Sequence, residues 1–185
     1  DTEFHGGTYQ FNNPISEYTN NLGLFGMMID VYYNNYIANI DIGISNSEMK
    51  KDLTQRNALW ERGTRNLFAN GNINLGYQFQ LSNSVKVAPM GGIGYFGFSP
   101  TIAEENKRPE LKDLQLGSFN YSIGTMCDLF FKEPKYEGSF WGHLFLRIKY
   151  SYNFSNDLTD LGPSSYHLLT LGIGSKTYAK RKKYK

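Results

Sequence analysis

The stretch Tyr36-Ile37-Ala38-Asn39-Ile40-Asp41-Ile42-Gly43-Ile44-Ser45 decides the fold. Tyr36, Ala38, Ile40, Ile42 and Ile44 fall on one face, and Ile37, Asn39, Asp41, Gly43 and Ser45 on the other. A period of two is the signature of a strand with one apolar and one polar face. Immediately before it stands Tyr33-Asn34-Asn35, and asparagine tolerates the positive φ that a two-residue hairpin demands. Such a turn pairs Tyr33 with Tyr36, both on the apolar face, so the register is self-consistent.

The same alternation recurs outward from this hairpin. Leu67, Ala69, Gly71, Ile73, Leu75, Tyr77, Phe79 and Leu81 oppose a face that carries Asn70, Asn72, Asn74, Gln78 and Gln80. Phe119, Tyr121, Ile123, Thr125, Cys127, Leu129 and Phe131 oppose Asn120, Ser122, Gly124, Met126, Asp128, Phe130 and Lys132. Leu144, Leu146, Ile148, Tyr150, Tyr152 and Phe154 oppose His143, Phe145, Arg147, Lys149, Ser151 and Asn153. Eight strands are predicted, near 3–11, 22–33, 36–45, 66–81, 85–98, 118–131, 139–154 and 165–178. Several exceed the roughly 5–6 residues usual in soluble sheets. Their links alternate in length: 12–21, 46–65, 99–117 and 155–164 are long and polar, whereas Asn34-Asn35, Ser82–Ser84 and Lys132–Gly138 are short. Pro89, inside the fifth strand, removes a ladder donor, so a bulge is expected there, with a change of facing after it.

Composition narrows the class. The 185 residues fit one domain, with 16% aromatic residues and 19 glycines, at a mean hydropathy of -0.48. A disordered chain lacks such aromatics, and no apolar run approaches the ~20 residues of a spanning helix. The formal net charge of +2 gives no basic field for nucleic acid. A single cysteine, Cys127, excludes an internal disulfide and multi-cysteine metal sites. Facing apolar surroundings, it reads as a small apolar residue. The start at Asp1, without an initiator methionine, is consistent with removal of a leader.

Which face points outward follows from the kind of polarity. A solvated strand face carries Lys, Glu, Arg and Thr, whereas this one is mainly Asn, Gly, Ser and Gln, small groups suited to a narrow eight-stranded lumen. The apolar face is almost free of charge, as a lipid-facing band requires. Aromatics gather near strand ends: Tyr33, Tyr36, Phe79, Phe131 and Phe140 at the short-turn end, and Tyr95, Phe119, Tyr152, Phe154 and Tyr166 toward the long loops. Two such girdles mark two membrane interfaces. In lipid every backbone donor and acceptor must pair within the chain, so the sheet must close. The fold expected is all-β: an eight-stranded antiparallel up-and-down transmembrane β-barrel over residues 1–178, followed by a basic tail over 179–185.

The chain resembles the small outer-membrane barrels of the OmpA/OmpX type, and more closely their relatives from Bacteroidetes-like bacteria. The resemblance runs the whole length and rests on strands such as Asn72-Ile73-Asn74-Leu75-Gly76-Tyr77, Gly91-Gly92-Ile93-Gly94-Tyr95-Phe96-Gly97-Phe98 and the final Leu171-Gly172-Ile173-Gly174. It implies the outer membrane of a Gram-negative bacterium, long loops extracellular and both termini periplasmic. Such barrels usually stop at a terminal aromatic, whereas here Tyr178 is followed by Ala-Lys-Arg-Lys-Lys-Tyr-Lys. That tail reads as a solvated end, or as a contact for anionic lipid heads or an acidic periplasmic partner.

Candidate chemistry lies in three places. Asp30, Asp41, Lys86, Asp128, His143, Arg147 and Lys149 share the polar face. They read as an ion path or, in the favoured reading, as lumenal salt bridges that compensate one another, because eight strands leave little bore. Asp128 and His143 are expected to face each other across strands six and seven. Ser165 and His167 share one face at the long-loop end, the weak catalytic pair that a lipid A-modifying enzyme would need, without a surrounding hydrolase motif. The link 46–65 is expected to hold a short helix capped by Ser47 and ended by Gly63, with Met49, Leu53 and Trp60 near one face. Trp60 then either packs in a lid or serves as an exposed contact for a partner. The link 99–117 reads as a solvated surface loop. No residue pattern calls for a cofactor or a metal.

The function expected is a non-enzymatic integral outer-membrane protein, either a structural or surface component or an accessory subunit of a larger complex. The alternatives are a lipid A-modifying acyl hydrolase or transferase, and a soluble lipocalin-like ligand-binding barrel with its faces inverted. Outer-membrane lipid or lipopolysaccharide and other outer-membrane proteins are the expected partners; nucleic acid is not.

Overall fold

The computed structural model describes residues 1–55, 58–112, 114–131, 143–158 and 162–176. The alternating segments become eight long strands: β1 Thr2–Phe11, β2 Leu22–Tyr33, β3 Tyr36–Glu48, β4 Arg65–Tyr77, β5 Val85–Pro100, β6 Leu116–Phe130, β7 His143–Leu158 and β8 Gly162–Lys176. Each pairs antiparallel with its neighbours in sequence, and β8 returns to β1, so no edge is left. The hairpin that opened the reading forms as expected, with Tyr33 opposite Tyr36 and Asn34 at φ 55°.

Closure comes with a stagger. Followed from partner to partner, Thr2 leads through Ile29, Ile40, Ile73, Ile93, Tyr121, Phe154 and Ser165 back to β1 at Asn12, ten residues from its start. A shear of that size in eight strands tilts them by about 40° and sets a bore that side chains can fill.

Facing follows the alternation. Phe25, Val31, Ile73, Leu75, Ile93, Ile123, Leu171 and Ile173 are all more than half exposed on the outside. Soluble monomers rarely leave so large an apolar surface uncovered. Between Tyr33 and Tyr36 at one end and Tyr95 and Phe119 at the other, no outward position of the described strands carries Asp, Glu, Lys or Arg. This is a lipid-facing belt. Inside, polar residues fill the middle. A large aromatic cluster closes the long-loop end, and a smaller cluster of Ile37, Ala88, Met90 and Met126 lies nearer the short turns.

Four expectations need correction. Pro89 produces no bulge: Gly76 with Met90 and Phe79 with Val87 keep one register on both sides of it. Ala88 and Met90 point inward and Pro89 outward, so facing does not change. The missing donor coincides with a gap in the β4–β5 ladder between Gly76 opposite Met90 and Phe79 opposite Val87. On the other side of β4 the Gln78 N–H extends the ladder with β3 by donating to the Asn35 carbonyl at 2.7 Å. Among the described residues the stretch 46–65 holds no helix. Asn46, Ser47 and Glu48 continue the alternation of β3, with Glu48 opposite Arg65, and Leu53–Gln55 then pairs with Ala58–Trp60 in a short ladder. Gly63 makes a turn at φ 86° instead of ending a helix.

The link 99–117 is not simply solvated. It contains a helix at Ile102–Lys107 and a 3₁₀ turn at Pro109–Leu111, and it buries Leu111 and Leu114. Tyr166, counted with the outer girdle, sits inside the lumen, because its partners Asn153 and Phe11 both face inward. The expected link Lys132–Gly138, Phe140 and the tail 179–185 lie outside the described residues.

A charge placed in the belt tests this geometry. Ile40→Arg, near mid-belt, is expected to lose roughly 2–4 kcal/mol of folding free energy in lipid vesicles, and Tyr33→Arg at the belt's edge only about 0–1. Urea titration followed by the gel shift of unboiled against boiled protein measures both. Equal costs at the two sites would contradict a lipid-facing belt.

Candidate functional site

The lumen is organised around one guanidinium. Arg147 on β7 points inward opposite Asp128 on β6. Its Nε and Nη2 donate to the two Asp128 oxygens at 2.6 and 3.0 Å, a bidentate pair that fixes the plane of the group. Its Nη1 donates across the barrel to Asp30 on β2 and lies 3.1 Å from Glu3 Oε2 on β1. Nη2 also donates to the Tyr32 hydroxyl at 3.2 Å, and the guanidinium lies over the Phe145 ring. Arg147 is 0% exposed, so a single side chain ties four strands together away from water.

Two residues along β7, Lys149 repeats the pattern. Its Nζ donates to Asp41 Oδ2 at 2.6 Å and to Asn39 Oδ1 at 3.3 Å. His5 stands between Asp41, at 3.5 Å, and Glu3, at 4.0 Å. Amides carry the network further. Asn39 donates to Asp30, Asn74 to Asn39, and the Ser122 hydroxyl to Asn74. Higher in the bore Asn120 donates to both Asn72 and Asn153. Four carboxylates (Glu3, Asp30, Asp41 and Asp128) therefore face two permanent cations, with His5 as the third basic group. Buried charges persist only when compensated: Arg147, Lys149, Asp30 and Asp128 are both paired and hydrogen-bonded, whereas Glu3 and His5 are held by charge proximity alone.

The long-loop end is sealed by rings. Tyr9 and Phe68 meet edge to face at 4.6 Å, Phe96 and Tyr166 at 5.3 Å, and Phe11 and Phe68 at 5.4 Å. Trp60, Leu53, Met49 and Leu111 continue this cluster upward from the loops. Trp60 is wholly buried, so it is part of a lid and not an exposed contact for a partner.

The structure thus brings together Asp30, Asp41, Asp128, Arg147 and Lys149. Lys86 lies directly opposite Asp128 on β5 but forms no ion pair with it: it is half-buried, with its Nζ 5.1 Å from the centre of the Phe130 ring. The expected facing of Asp128 and His143 does not occur. Asp128 lies opposite Arg147, and the backbone of His143 pairs with Lys176, while the His143 side chain lies outside the described part. The reason is register: Phe130 pairs with Phe145, which centres the connection of β6 to β7 about two to three residues later than a turn at Lys132–Gly138 would.

Glu3, His5, Tyr32 and Asn39 were missed as members of the network. The signal for Glu3 and His5 was the alternation of β1, where Phe4 points outward and its two neighbours inward. Ser165 and His167 do share the outward face of β8, half-buried. Ser165 Oγ accepts from Asn12 Nδ2 at 2.8 Å, and His167 Nδ1 is 2.7 Å from the Tyr150 hydroxyl. Among the described residues no hydrogen bond joins the two, and no carboxylate orients the imidazole.

The solved structure of Neisserial surface protein A (NspA) matches this architecture with a TM-score of 0.66, covering 93% of this chain and 93% of that one at 10% identity. Ail, the attachment invasion locus protein of Yersinia pestis, solved in complex with the heparin analogue sucrose octasulfate, matches with a TM-score of 0.50, covering 93% and 94% at 10% identity. No protein-family model matches the sequence, and neither does any curated protein.

Removing the central cation should expose the dependence of the lumen on it. Arg147→Met leaves Glu3, Asp30 and Asp128 without their shared partner and is expected to cost about 3–5 kcal/mol. Adding Asp128→Asn should recover part of that loss. Urea unfolding in vesicles, followed through the fluorescence of buried Trp60 in a Trp141→Phe background, reads both, and a loss below about 1 kcal/mol would show that the network is not held by this residue.

Proposed function

We propose, from the premise that this chain has the fold of the small outer-membrane β-barrels, that it is a closed, non-enzymatic barrel of the bacterial outer membrane. Its task on this reading is to hold a rigid crown of loops at the cell surface, as a surface component or as an accessory subunit of a larger membrane complex. The observation that carries the proposal is the filled lumen. Arg147 and its carboxylates occupy the middle, and Tyr9, Phe68, Phe96 and Tyr166 stop the long-loop end. A transport path has no room there, and a lipid substrate has no entry to the lumenal acids.

The loops are braced as a platform would be. Lys50 N–H donates to the Tyr18 carbonyl at 2.8 Å, and Lys51 pairs with Glu17 at 3.1 Å, joining the first and second long links. Arg108 pairs with Glu61 at 3.0 Å and donates to the Thr64 hydroxyl, joining the second and third. Short turns on the periplasmic side and long loops outside are the rule for such barrels. That rule orients the crown outward.

The nature of the contact follows from charge. Ail was solved with a sulfated ligand, but several crown cations here are matched by acids: Lys51 by Glu17, Arg65 by Glu48, Lys107 by Glu104 and Arg108 by Glu61. Exposed Leu59 and Ile102 add apolar surface. A protein partner fits this crown better than a polyanion.

Two measurements test the reading. The full chain reconstituted in a planar bilayer is expected to give no steady single-channel current, and a reproducible open state would overturn the closed-barrel proposal. Deletion in the native host should leave lipid A unchanged by mass spectrometry. Loss of an acyl change that returns with the wild-type chain, but not with Ser165→Ala or His167→Ala, would establish the enzyme reading instead.

A further inference from the structure

On the outside of the wall, toward the long-loop end, β4 and β5 run out of side chains. Ala69 lies opposite Gly97, and Gly71 opposite Tyr95, all on the outward face. Together with Ser99 and Gln115 they line a recess of about 330 Å³, within the ~300–1,000 Å³ of small-molecule sites. Tyr95 does not fill it, because its ring leans the other way. A Cβ on Gly117 would come within 2.1 Å of the Tyr95 hydroxyl, so this glycine on β6 lets the ring lie across it and meet Phe119 edge to face at 5.5 Å.

The recess is continuous with the lipid-facing belt. Ile44 flanks Ala69 on one side, and Ile73 and Ile93 lie one step below Gly71 and Tyr95. It opens level with the aromatic girdle, where hydrocarbon gives way to headgroups. In that position the only medium in contact with an apolar hollow is lipid. The polar side chains at its rim are a serine hydroxyl and a glutamine amide, with no cation among the lining residues. That rim suits the sugar hydroxyls and acyl amides of a glycolipid better than a bare phosphate.

We infer that the recess seats one acyl chain of an outer-leaflet glycolipid of the lipopolysaccharide class, with Ser99 and Gln115 facing its sugar. The inference rests on the outward orientation of the crown proposed above.

Gly71→Leu tests it cleanly, because a Cβ there meets nothing within 4 Å and the leucine would occupy the recess while still facing lipid. Gly23→Leu is the matched control: it is an outward glycine on β2 whose Cβ also meets nothing within 4 Å. The full chain and both variants are folded in mild detergent, checked by the gel shift of unboiled protein, offered purified lipid A or palmitoyl-oleoyl phosphatidylethanolamine, and examined by native mass spectrometry. Wild type and Gly23→Leu are expected to retain one lipid A, and Gly71→Leu to retain it about tenfold less, the loss expected when about two methylenes are no longer buried. Equal retention by all three overturns the seat. Retention of the phospholipid in preference to lipid A overturns the assigned occupant. Thiol labelling of Leu59→Cys on intact cells reports the orientation separately: an unlabelled crown removes the outward reading even where the adduct is present.

Discussion

In hydrocarbon a backbone N–H has no water to turn to, and this constraint governs the rest of the molecule. The chain meets it by bringing β8 back to β1, from Thr2 opposite Ser175 to Phe11 opposite Tyr166. Closure with a ten-residue stagger then fixes a narrow bore. A narrow bore must be filled, and its filling explains the composition of the inward face. Where a long polar side chain leans over the neighbouring strand, that strand must be bare: at Gly172, on β8 beside Glu3, a Cβ would fall 2.0 Å from Glu3 Oε1.

The contents of the bore divide the molecule into two regimes. The middle is ionic, and Arg147 acts as a hub whose partners come from β1, β2 and β6. Such a hub resists sliding of one strand against another, because moving any partner by one residue turns its carboxylate outward. The long-loop end is aromatic and continues into loops that would otherwise be free. Trp60 and Leu111 convert those loops from appendages into an extension of the core. Rigidity at the crown is therefore inherited from the barrel, and a partner that docks there meets a prepared surface, without the ordering cost of a flexible loop.

Much of this was legible in the residues alone. Alternation placed Ile40 outward and Asp41 inward, and Asn34-Asn35 fixed the first hairpin, because both signals are local. The failures share a cause in long-range geometry. Tyr166 looked like a girdle residue by its position near a strand end, but its partners Phe11 and Asn153 decide its facing. The expected meeting of Asp128 and His143 depended on where the connection is centred, and a four-residue difference in register puts Arg147 opposite Asp128 instead. Trp60 was read on a helix because its spacing from Leu53 and Met49 allowed one; the pairing of Glu48 with Arg65 drew that stretch into extended form. Pro89 suggested a bulge by local chemistry, yet the β4–β5 ladder merely breaks off opposite it and resumes in the same register.

The seam between β1 and β8 also governs how the barrel can be made. Thr2 and Ser175 lie at nearly opposite ends of the described chain, so their pairing has about the highest sequence separation available. Contacts of that kind form late, since the intervening chain must be ordered before they are rewarded. Until then β1 and β8 are both raw edges, each able to pair with another chain. Biogenesis thus has a vulnerable final step at one defined seam, and anything that holds β1 in waiting would set the pace of assembly.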